Sequence, residues 1–69
     1  MMFLRGDKAL ISSRIAESLN VSRIVTIVVV DYDDRIYPYR VEFSNGAMLW
    51  VTGEELRPIK KNRAKVVEL

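Results

Sequence analysis

Tyr37-Pro38-Tyr39-Arg40-Val41-Glu42-Phe43-Ser44-Asn45-Gly46-Ala47-Met48-Leu49-Trp50-Val51 carries the strongest structural signal in the chain. Two apolar-rich runs meet at Ser44-Asn45-Gly46, a sequence suited to a tight turn, so the segment reads as a β-hairpin. Beyond it, Gly53-Glu54-Glu55-Leu56 reverses the chain before a closing strand at Arg57-Pro58-Ile59. Glu54 and Glu55 are adjacent in that reversal and point apart, which makes them poor partners for acid–base chemistry. They read instead as the start of a short 3₁₀ turn whose Leu56 plugs the core.

The hairpin admits two registers with opposite consequences, because a slip of one residue turns every side chain to the other face. A two-residue Asn45-Gly46 turn sets Phe43 opposite Met48, Val41 opposite Trp50 and Tyr39 opposite Thr52. It buries Trp50 and leaves Leu49 and Val51 outside, beside Glu42 and Arg40. A three-residue Ser44-Asn45-Gly46 loop, with Gly46 in the left-handed position of a bulge, pairs Phe43 with Ala47, Val41 with Leu49 and Tyr39 with Val51. This second register is preferred, because it gathers six apolar residues on one face. Arg40 then lies opposite Trp50 and Glu42 opposite Met48, with an exposed indole expected to stack under the Arg40 guanidinium.

Sixty-nine residues make one domain. A chain of this size buries only about 60% of the surface its unfolded form exposes, so its core is small. It contains no Cys and no His, which removes disulfides, thiolate and imidazole chemistry and Cys/His zinc sites. The opening Met1-Met2-Phe3-Leu4 is too short an apolar run for a secretory signal, and no window approaches a membrane span. A cytoplasmic location without membrane association is expected, and Asn20-Val21-Ser22 reads as a chance glycosylation sequon. The net charge of +2 is unevenly spread: Lys60, Lys61, Arg63 and Lys65 against Glu68 put +3 on the last ten residues and leave −1 on the rest.

Upstream of the hairpin, Gly6-Asp7 is a turn signal before a short strand at Lys8-Ala9-Leu10-Ile11. In the stretch from Ser12 to Ser22, Ser13 could cap a helical turn that places Ile15 and Leu19 on one face and ends at Asn20. The run from Ile24 to Val30 is β-branched throughout, with Thr26 its only polar interruption, and reads as a long, bent central strand buried on both faces over part of its length. Asp31-Tyr32-Asp33-Asp34-Arg35-Ile36 is too charged to continue inside and becomes an exposed loop. The expected fold is all-β: a five-stranded barrel over residues 1–61, a short helical turn in its first long loop, and a basic and apolar C-terminal tail over 62–69.

Gly6-Asp7-Lys8-Ala9-Leu10-Ile11, the long Ile/Val strand, Tyr39-Arg40-Val41-Glu42-Phe43-Ser44-Asn45-Gly46, Leu49-Trp50-Val51 and Glu55-Leu56-Arg57-Pro58-Ile59 together resemble the small SH3-like barrels. That group includes Tudor- and KOW-like modules, accessory subunits of photosynthetic and redox complexes, and short phage or bacterial barrels. The resemblance spans Gly6 to Ile59 and implies a fold shared by methyl-ligand readers, RNA binders and subunit-docking proteins. A Tudor-type cage would need Tyr32, Tyr37 and Trp50 to meet, which requires the charged loop to fold back on the hairpin. A proline-peptide groove would need aromatic residues in the first long loop, and Ser12 to Ser22 has none.

Asp31, Asp33, Asp34 and Glu42 invite a calcium-loop reading, but Ile36 stands where the loop needs glycine and Arg35 where it needs a ligand. A solvated loop is the better reading, with no metal and no cofactor expected. No nucleophile is paired with a base and there is no glycine-rich phosphate loop, so the chain is not expected to be an enzyme. The leading expectation is a protein-binding accessory module docking on a larger host or cognate complex through Trp50, Met48, Arg40, Tyr37 and Tyr39, because Trp, Met and Arg are enriched at interfaces. The second is a KOW- or Tudor-like RNA- or DNA-binding module using the basic residues Lys60, Lys61, Arg63 and Lys65 together with Arg40 and Trp50. The third is a homo-oligomer formed through an open strand edge.

Overall fold

The computed structural model describes residues 3–59. The predicted tail over 62–69, and with it Lys60, Lys61, Arg63 and Lys65, lies outside the described residues. The order of elements is β1 (Lys8–Ile11), α1 (Ser13–Leu19), β2 (Ile24–Val30), β3 (Tyr39–Glu42), β4 (Met48–Val51), a 3₁₀ turn (Gly53–Glu55) and β5 (Leu56–Pro58). All strands belong to one antiparallel sheet in the order β4-β3-β2-β1-β5. The all-β class holds. The expected closure into a barrel is a different matter, since β4 and β5 are the two edges of this sheet and no ladder joins them among the described residues.

The hairpin takes the three-residue loop. Tyr39 pairs with Val51, Arg40 with Trp50, Val41 with Leu49 and Glu42 with Met48. The Phe43 amide donates to the Ala47 carbonyl at 2.8 Å and the Gly46 amide to the Phe43 carbonyl at 2.9 Å, while Gly46 has φ 91°. A glycine is needed there for its backbone, because an L side chain is strained at that φ even with open space around it. Asn45 Oδ1 accepts from the Ala47 amide at 3.0 Å and fixes the loop further.

The long β2 run has a physical reason other than burial on both faces. Ile27 pairs with Val41 and Val29 with Arg40, so Val28 is the extra residue of a β-bulge. Before it Val25 and Ile27 face inward; after it the alternation restarts, with Val29 outward beside Arg40 and Val30 inward beside Tyr39. Ile24 and Val29 are exposed, so the unbroken apolar sequence combines a parity change with a partly solvated outer face.

One core takes residues from every strand: Ala9 and Ile11, Val25 and Ile27, Tyr39 and Val41, Val51, and Leu56, joined by Phe3, Phe43 and Ala16. A single sheet with one short helix can bury that set only by curling over it. Phe3 meets Tyr39 edge-on, with centroids 5.6 Å apart and planes at 89°, a favoured aromatic geometry. Leu56 is 2% exposed and fills the place expected of it. The turn before it is closed by a capping box in which the Glu55 carboxylate accepts from the Thr52 amide at 2.9 Å.

Two local expectations shift. The N-cap of α1 is Ser12, with Ser13 the first helical residue. The residue that α1 buries is Ala16, with Ile15 half-buried and Leu19 exposed, because a seven-residue helix can lay only its narrowest side chain flush on the sheet. Asn20 ends the helix in the left-handed conformation, as its sequence position anticipated. Among the described residues no helix is long and apolar enough to cross a membrane.

Candidate interaction surface

Strand alternation places the candidate contact residues. Along β3, Tyr39 and Val41 point inward and Arg40 and Glu42 outward; along β4, Val51 points inward, with Met48 and Trp50 outward. Trp50 is 41% exposed and Met48 48%. Arg40 lies directly across from Trp50, and Val29 lies beyond it on β2, so one row across the outer face reads Trp50, Arg40, Val29. The next row reads Met48, Glu42, Thr26, Lys8, and the Lys8 ammonium donates to Thr26 Oγ1 at 3.0 Å.

Tyr39 does not belong to this surface. It is 1% exposed and packed on Phe3, because the register that turns Trp50 outward turns Tyr39 inward. The inner face is also smaller than the six residues expected of it: Ala47 is exposed and Leu49 is 38% exposed, since β4 is an edge of the sheet with no described strand beyond it. Arg40 and Trp50 share a row, yet no cation–ring contact joins them among the described residues.

Tyr37 lies at the end of the loop that joins β2 to β3. The loop is closed at its neck by the Asp31 amide donating to the Pro38 carbonyl at 2.7 Å, and its acids fold the rest. Asp31 Oδ1 accepts from the Asp33 amide at 3.0 Å, and Asp34 Oδ1 accepts from the amides of Ile36 and Tyr37, both at 2.9 Å. The Tyr37 amide, and after it that of Ile36, holds the Asp34 carboxyl below its ordinary pKa, outweighing a small opposing effect of burial. This folded loop and the outer face of β4 border a wide-open cleft of about 410 Å³ lined by Asp31, Asp34, Tyr37 and Trp50.

Asp31 and Asp34 read from sequence as a solvated loop, and their role in walling this cleft was missed. The available signal was their spacing: a carboxylate two and three residues before an amide can cap it and hold a loop against its neighbour. Tyr32 lies apart, in a depression with Arg5 and the end of β2, so the three-aromatic cage is not assembled. Among the described residues, no group of three acidic side chains gathers as a metal site. Against this geometry, no family model, no curated protein and no solved structure matches the chain.

Proposed function

We propose that the chain is a protein-binding accessory module without catalytic activity, built on an SH3-like barrel and docking on a larger complex through the outer face of β3 and β4. The observation that carries the reading is the exposure of Trp50 and Met48 beside Arg40 while the inner face is already filled by Tyr39, Val41, Phe43 and Val51. Folding has no use for an indole and a thioether in water, and these are the residue types on which interfaces concentrate their binding energy. The strand order β4-β3-β2-β1-β5 and the 3₁₀ link from β4 to β5 support the choice of scaffold. The absence of His and Cys supports a binding role over a catalytic one.

The test is affinity capture from the native host followed by titration of the retained protein, once purified, against wild type and Trp50→Ala. The variant should lose about 2 kcal/mol or more of binding, as an interface anchor does, with its fold intact. Equal affinity for the two forms would move the contact elsewhere. Retention of nucleic acid, released steeply by salt, would put the basic residues Lys60, Lys61, Arg63 and Lys65 first. A concentration-dependent sedimentation shift without any ligand would favour self-association through the edge of β4.

A further inference from the structure

We infer that the cleft between the β2–β3 loop and β4 is a receptor for one arginine side chain of the partner protein, an inference that rests on the protein-binding reading above. Two aromatic rings, Tyr37 and Trp50, and two carboxylates, Asp31 and Asp34, line the same cavity of about 410 Å³. The carboxylates are held by the loop's own amides through a single oxygen each, and among the described residues no donor reaches Oδ2 of either. Among the described residues neither is paired with a cation: Arg35 lines a different cavity, and neither Arg35 nor Arg40 forms an ion pair there. Among the described residues no cation stacks on the Trp50 ring either.

A guanidinium is the one biological side chain that meets both halves of this lining at once. Its flat, weakly hydrated face stacks on an indole or phenol, and its in-plane N–H groups donate to carboxylate oxygens in a fork. A lysine ammonium satisfies the acids as a point charge but stacks less well. A quaternary ammonium has no N–H to offer Asp31 and Asp34 and calls for more enclosing aromatic surface than Tyr37 and Trp50 provide, since Tyr32 lies elsewhere. A hard metal ion would find oxygen ligands on one wall only. Arg40, across from Trp50 on the sheet and outside the cleft lining, sets a boundary: the arginine must enter from the loop side.

The experiment is titration of ¹⁵N-labelled protein with three blocked tripeptides, Gly-Arg-Gly, Gly-Lys-Gly and Gly-trimethyllysine-Gly. The arginine peptide should shift the Trp50 indole N–H and the Tyr37 and Ile36 amides saturably at millimolar concentration, and more tightly than either other peptide. Asp31→Asn and Asp34→Asn should each weaken it by about tenfold, the loss of one charge-assisted hydrogen bond, and Trp50→Ala should abolish it. No saturable shift in the wild-type protein overturns the inference, and so does an equal response to all three peptides. The wild-type titration decides this even if a variant fails to fold. If the arginine peptide does not bind while Trp50→Ala still weakens the captured partner, the arginine receptor is wrong and the protein-binding surface stands; if the peptide binds while partner affinity ignores Trp50→Ala, the cleft takes arginine but not the captured partner's, and both the inference and the docking surface are overturned.

Discussion

The two faces of the β3–β4 hairpin are written in the same few residues and have opposite physical characters. Inward, Tyr39, Val41 and Val51 are sealed against β1, β2 and β5, with Phe43 just beyond the end of β3, and no polar or charged side chain is buried among the described residues. Outward, Arg40, Glu42, Met48 and Trp50 make no ion pair among the described residues and carry their apolar surface exposed. The inner face is closed by volume, whereas the outer face has unfilled contacts. A two-residue periodicity therefore separates what holds the molecule together from what stays exposed, and one loop residue, Gly46, decides which set is which.

Substitutions on the two faces should differ sharply. Tyr39→Ala removes a fully buried ring together with its edge-on contact to Phe3, and chemical denaturation should register a loss of about 3–5 kcal/mol, as for other buried aromatics cut to alanine. Should the loss stay below about 1 kcal/mol, the inner face would not be the core. Gly46→Val places a β-branched residue at φ 91° with no steric clash to relieve, so backbone strain alone should cost about 1 kcal/mol or more. A neutral result would mean that the loop can change its turn and still hold the register.

Trp50→Ala should change unfolding stability by less than about 1 kcal/mol, the range of a surface substitution, and the free protein should show the red-shifted emission of a solvated indole. A large loss with blue-shifted emission would erase the distinction between the faces. The smallest effect concerns Asp34. Its folded pKa is depressed by the Tyr37 and Ile36 amides, so its contribution to loop order is complete above the ordinary carboxylate pKa and is lost as pH falls through the folded value. An acid titration followed by NMR should move the Ile36 and Tyr37 amides while the Val41 and Ile27 amides stay still; Asp34→Asn should abolish that step, and a step that persisted would belong to another acid.

The hairpin register was legible because Leu49 and Val51 alternate with Trp50 on one strand, and only one turn length keeps that pair off the side of Arg40 and Glu42. The 3₁₀ turn and its Leu56 plug were legible from Gly53-Glu54-Glu55-Leu56, and the end of α1 from Asn20, since local backbone chemistry fixes each of them. What could not be read were features set by distant neighbours. The exposure of Leu49 depends on β4 being an edge, a property of strand order. The cleft depends on which way the acidic loop leans, and no periodicity encodes that. In β2, seven residues of nearly uniform hydrophobicity hide a change of parity that only the pairing partners reveal.

That change of parity gives β2 an unusual relation to chain length. Val28 has no partner across the ladder, whereas Ile27, Val29 and Val30 keep Val41, Arg40 and Tyr39. Deleting Val28 therefore leaves every other residue of the strand facing the side it faces now, while deleting Val25 or Thr26 inverts part of the strand unless the bulge migrates to absorb the gap. The strand carries one spare residue, and a lineage of such chains can gain or lose a codon here without rewriting its core. A scan of single-residue deletions across β2, scored by folding, should find its most tolerant position at Val28, with a straighter strand as the visible trace.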